Sequence, residues 1–162
     1  MVVAGKGKKK PKQPYLKPTF GSRLDPPFLF ATIDVRTVSE ANCFEPWQKR
    51  HKRHQQQKLM VRIALTPLLC QPDIYFPCRV TVTRFAPRPL DAHDNLRMSL
   101  KYIVDQIADC LIPGLKPGRA DDDPRIEWHY AQQISKFYYV KIEIKFTEAK
   151  KIIDPHGIIP LP

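Results

Sequence analysis

The sequence is short of acid, and it is also short of the residues that would staple a small fold or anchor it in a bilayer. Only 16 Asp and Glu stand against 27 Lys and Arg, leaving a formal charge of +11 and a pI near 9.6. No run of about 18 apolar residues occurs, so the sequence offers no candidate for a membrane-spanning helix. The opening MVVAGKGKKK lacks the apolar stretch of a signal peptide, and a soluble, intracellular protein is expected. The four cysteines, Cys43, Cys70, Cys78 and Cys110, include no Cys-x-x-Cys pair, which argues against a zinc ribbon. They are expected to be reduced and mostly buried. His51 and His54 share a helix spacing but sit among cations, and they read as part of a basic surface rather than a zinc site.

What the sequence does have is enough apolar material, 43% of 162 residues, to bury one ordinary core, so a single domain is expected. The positive charge is unevenly placed. Residues 5–18 hold six lysines and no acid, and residues 48–58 hold five more cations. A field of this sign draws a small protein toward polyanions, with nucleic acid as the first candidate. Residues 1–20, including Lys8, Lys9 and Lys10, read as a disordered basic tail, because Pro- and Lys-rich tracts bury too little apolar surface to order themselves. Residues 21–150 then form the domain. Residues 151–162 form an extension whose apolar side chains can pack on the body or on a second subunit.

Within the domain, FLFATIDVRT (28–37) has the aromatic and β-branched content of a strand. A helix follows from Pro46 toward Pro67, basic at its front (Lys49, Arg50, Lys52, Arg53, Lys58) and apolar toward its end. CRVTVTRFAP (78–87) alternates as a strand, and Pro87 and Pro89 end it. Leu96, Leu100, Ile103, Val104, Ile107, Ala108 and Leu111 then recur with the period of an amphipathic helix. After the Pro/Gly loop at 113–119, RIEWHYAQQ and FYYVKIEIKF read as two strands of an antiparallel hairpin. The expected fold is α/β, a small mixed β-sheet in β-α-β-α-β-β order covered by two helices. Tyr130, Phe137, Tyr138 and Tyr139 are expected in the core or a dimer contact, and Trp47 and Trp128 in packing.

At about 100° per residue, Lys101 and Asp105 project within roughly 20° of Asp94 on the second helix, away from its apolar side. Asp91 lies just before that helix, and Asp121, Asp122 and Asp123 enter the next strand. Carboxylates from a strand end, a helix start and a strand entry can converge on a hard cation such as Mg²⁺. A metal held there supports phosphodiester hydrolysis, with Lys101 stabilising charge on the phosphoryl group. The same residues also fit a surface helix capped by Asp91 or Asp94, with Lys101 and Asp105 as an i,i+4 pair and ADDDP as a turn.

The motifs LDAHDNL (90–96), KYIVDQIAD (101–109) and ADDDPRIEWHYAQ (120–132), in this order of elements, resemble the RusA-like Holliday junction resolvase family, including its phage and prophage members. The resemblance runs from about Phe28 to Phe146. It implies a homodimeric, Mg²⁺-dependent endonuclease that cuts branched double-stranded DNA by paired nicks. Mn²⁺ would be an alternative ion and no small-molecule cofactor is needed. The setting implied is the cytoplasm of a bacterial or phage-infected cell. Carried onto this chain, the metal ligands are Asp91, Asp94 and Asp121, with Asp122 as the alternative to Asp121. Lys101 would act at the scissile phosphate, and Asn95 and Asp105 would support the site. Here Ala92 and His93 separate the first two aspartates where the family motif has one residue, and Lys101 comes one helical turn later.

Two other functions stay open on the residues alone: a DNA-binding module whose acidic face is structural, and an RNA-associated basic protein using exposed aromatics for stacking. In the nuclease reading, Lys49, Arg50, Lys52, Arg53 and Lys58, with the lysine tail, supply salt-dependent phosphate contacts.

Overall fold

Alternation of apolar residues fixes which face of each strand is covered. The computed structural model describes residues 19–21, 28–40, 44–69 and 76–146. In β2 (Phe28–Ile33), Leu29, Ala31 and Ile33 are buried, and in β5 (Tyr139–Phe146), Val140, Ile142, Ile144 and Phe146 are buried. In β3 (Cys78–Ala86) the even-numbered residues Cys78, Val80, Val82, Arg84 and Ala86 all face inward. A period of two places each set on one side of the pleat.

That side is covered by α1 (Trp47–Leu69) and α2 (Asn95–Leu111). The apolar stripe of α2, with Leu100, Ile103, Ile107 and Leu111 all essentially inaccessible, closes the core together with Val61, Ala64 and Leu65 of α1. Burying a Leu or Ile side chain stabilises the fold by roughly 1.5–3 kcal/mol each. α1 packs mainly on α2 and β2, whereas α2 also meets β3 and β4 (Ile126–Ile134). No helix among the described residues is long and apolar enough to cross a membrane.

The sheet is mixed, with the order β1-β2-β5-β3-β4, and β1 (Thr19–Gly21) pairs antiparallel with β2. This short strand precedes the first expected one and includes two residues that the sequence places in the tail. Lys8, Lys9 and Lys10 and the extension at 151–162 lie outside the described residues.

The expected hairpin is not formed. β4 runs parallel to β3, and β5 is antiparallel to both β3 and β2, so β3 lies between β4 and β5. Burial explains the arrangement. β5 hides every second residue and takes a central place, whereas β4 exposes Glu127, His129, Gln133 and Ile134 and suits an edge. The short link after β4 passes the end of β3, where Ser135 donates its N–H to the Ala86 carbonyl at 3.0 Å.

Cys78 and Cys110 are free and buried, and burial pushes the Cys78 thiol up to about 11. Cys43 and Cys70 fall outside the described residues. Trp47, expected in packing, is 69% exposed at the start of α1 and stacks on His51 at 5.1 Å. The first turn of a helix has little of the core within reach, so the indole stays at the surface.

Candidate active site

The turn before α2 is built by Asp91. Its Oδ2 accepts the Asp94 N–H at 3.3 Å and its carbonyl accepts the Leu96 N–H at 2.9 Å. This satisfies donors that a helix start leaves open. Asp94 occupies the cap position, yet its side chain makes no capping bond and is exposed. Asn95 Oδ1 accepts the Ser39 hydroxyl at 2.5 Å and ties the helix start to the segment after β2.

Farther along the same stripe, Lys101 Nζ stands 3.4 Å from Asp105 Oδ1. Asp105 is buried, 7% exposed, on a helix whose other buried residues are mostly apolar. Burial raises its carboxyl above the ordinary range and the charge of Asp121 adds to this, while Lys101 and Lys58 pull the other way. Tyr130, half-buried on β4, feels the same two carboxylates: burial raises its hydroxyl, Asp121 and Asp105 raise it further, and Arg97 opposes. The Arg97 guanidinium carbon lies 5.2 Å from the Tyr130 ring centroid.

Asp121 is held through its backbone. Its carbonyl accepts the Trp128 indole N–H at 2.8 Å, which ties the acidic turn to β4. Asp123 is consumed by the turn itself, accepting the Arg125 backbone N–H at 2.9 Å and pairing with the Arg125 guanidinium at 2.9 and 3.0 Å. These bonds hold its carboxyl below the usual range. Asp122 is exposed, so of the two alternatives Asp121 is the one coupled to the stripe. The 113–119 loop completes the wall. Gly118 adopts φ +72° and donates its N–H to Asp109 Oδ1 at 3.1 Å, and a Cβ on it would lie 3.9 Å from Asp105 Oδ2.

The expected site residues therefore fall into two groups. Lys101 and Asp105 pair at 3.4 Å and the charges of Asp121 and Lys58 act on Asp105, while Asp91 and Asp94 sit at the head of the stripe. Asp94 and Asp105 are separated by about 16 Å of helix axis. Among the described residues, no three His, Cys, Asp or Glu side chains are grouped so as to hold a metal ion. A Mg²⁺ ion is commonly held by one or two carboxylates with waters and substrate phosphates; Asp105 and Asp121 are the residues that would hold one here.

The basic helix divides in the same way. Lys49 and Lys52 are exposed. Arg53 turns inward, paired with Glu40 at 2.7 Å and with Glu45, and Arg50 Nε lies 3.6 Å from Glu40. His54 completes this cluster, 2.9 Å from Glu40 and stacked on Tyr102 with ring centroids 3.5 Å apart. Burial raises the Glu40 carboxyl, but the bonds from Arg53 and His54 prevail and leave it below the usual range.

The sequence analysis gives Asp105 only a supporting place, assigns Tyr130 to packing and passes over Arg97. The signal available for Asp105 was its position four residues after Lys101; nothing local marks the other two. Comparisons with family models and with curated proteins find no match to this chain.

Proposed function

We propose that the protein is a Mg²⁺-dependent, structure-selective DNA endonuclease that resolves Holliday or other branched junctions by paired phosphodiester hydrolysis. The observation that carries this reading is the buried Asp105 carboxylate paired with Lys101 at 3.4 Å in a chain of charge +11. Carboxylates surrounded by excess positive charge suit a metal site that must also admit a polyanion.

Asp105 and Asp121 would hold Mg²⁺ or Mn²⁺, and the resemblance adds Asp91 and Asp94 as ligands. A cation bound there supplies polarisation of the phosphoryl group and a lowered pKa for bound water. Lys101, 48% exposed at its side chain, presents its ammonium to the charge that develops on the phosphate. Asp105 fixes where that ammonium sits. Trp128 holds the acidic turn against β4. Nicking two strands calls for two such sites, hence a homodimer in the cytoplasm of a bacterial or phage-infected cell.

A second reading is a DNA-binding protein without catalysis. It is favoured by the lack of a three-carboxylate group among the described residues. The readings separate on Mg²⁺-dependent cutting of a labelled four-way junction: loss of cutting in Asp121→Asn with binding retained supports the nuclease, and binding without cutting in the parent protein supports the alternative.

A further inference from the structure

Between α1, α2 and the loop after α2 lies an open groove of about 820 Å³, walled by Lys52, Gln55, Lys58 and Arg62 of α1, Asp109 of α2 and Pro117 of the loop. Three cations line it against one carboxylate, and that carboxylate already accepts the Gly118 N–H at 3.1 Å. The groove does not end blindly. Pro117 in its wall is followed by Gly118, where a Cβ would lie 3.9 Å from Asp105 Oδ2, so the loop side of the groove adjoins Asp105.

The geometry points to this groove as the track for the sugar–phosphate backbone of one DNA strand, leading its scissile phosphate toward Asp105 and Asp121. The inference rests on the endonuclease reading and adds the direction from which the strand arrives. Lys52 to Arg62 spans about 15 Å of helix axis, long enough to meet more than one phosphate of a strand. Three cations along one groove suit a chain of phosphate charges. The carboxylates at the loop side disfavour an acidic peptide, which brings no metal to offset them. Arg50 and Arg53, which face Glu40 and Glu45, are not part of this track.

The test is binding of the full chain to a fluorescent four-way junction in EDTA, where nothing can be cut, across a salt series. Lys52→Gln/Arg62→Gln is compared with Arg79→Gln/Lys145→Gln. The second pair is exposed and in register across β3 and β5, on the sheet face away from the helices. The groove pair is expected to lower the slope of log K against log salt by about two, as loss of two phosphate contacts should. The control pair should leave it near the parent value. An equal fall in both pairs, or none in the groove pair, overturns the inference, as does preferential binding of a polyglutamate peptide over the junction. Cutting by the parent in Mg²⁺ is read separately. A fallen slope without cutting sinks the endonuclease and keeps the track, whereas cutting with an unchanged slope does the reverse.

Discussion

Lys101 Nζ stands 3.4 Å from Asp105 Oδ1, with the lysine side chain 48% exposed and the aspartate side chain only 10% exposed. An ion pair with one wet partner contributes about 0–1 kcal/mol, too little to offset the burial of the carboxylate. The net effect is a carboxyl raised above its ordinary value of 3.8, by burial first and then by Asp121. A raised acid stabilises the fold below its unfolded pKa, and that contribution is lost as pH rises through the folded value. Asp105→Asn is therefore expected to melt higher than the parent at pH 7, with the advantage shrinking as pH falls toward 3.8. Each gain of about 1 kcal/mol moves the midpoint by about 2–4 °C at this size. Thermal melts of both proteins from pH 3.5 to 8 (about the span needed to cross the window) check it, and an unchanged or lower midpoint at pH 7 contradicts the assignment.

The Glu40 cluster should behave in the opposite sense. Its carboxyl lies below the usual range because the Arg53 and His54 bonds outweigh its burial. Its contribution is present above the ordinary value of 4.5 and is lost as pH falls through the lowered one. Glu40→Ala leaves Arg53 largely buried with Glu45 alone. A loss of about 3 kcal/mol is expected, at the low end for breaking a buried pair. Urea unfolding at pH 7 reads the loss, and a change below about 1 kcal/mol places the cluster with ordinary surface pairs.

Arg84 gives a third check. It is 5% exposed, and its two hydrogen bonds go to neutral oxygens: Nε donates to Thr37 Oγ1 and Nη1 to the Arg88 carbonyl, each at 2.9 Å. Burial lowers its pKa. Thr37→Val keeps the volume and removes the acceptor, at an expected cost of about 1.5–3 kcal/mol for a bond to a charged group. Urea unfolding measures it, and a neutral effect would mean that water replaces the hydroxyl.

What the sequence made legible was whatever repeats. The period of α2 located its buried residues from Leu96 to Leu111, and the alternation of Cys78–Ala86 placed Arg84 on the same face as Val80 and Val82. What it hid was partnership over distance. Two neighbouring strand-like runs look like a hairpin, and only the pairing of β3 with both of them shows that β3 separates them. Arg53 reads as a solvated cation until Glu40, 13 residues upstream, is found against it. Asp105 and Asp121 are 16 residues apart, across a loop whose path depends on Gly118 at φ +72°. No local pattern encodes their approach, so the candidate site was legible as a list of acids but not as a geometry.

The nuclease assignment stands or falls on incubating the full chain with a labelled synthetic four-way junction and with linear duplex of the same sequence, in Mg²⁺ or EDTA. The parent is compared with Asp121→Asn, at a residue whose charge acts on Asp105 and which the resemblance also names. Paired nicks in the junction alone are expected, abolished by EDTA and reduced at least 100-fold in Asp121→Asn (about 2.7 kcal/mol or more of transition-state stabilisation), with junction binding retained. Equal cutting by the parent and Asp121→Asn, or tight binding by the parent with no cutting in Mg²⁺, contradicts the assignment of this acidic face as a nuclease site.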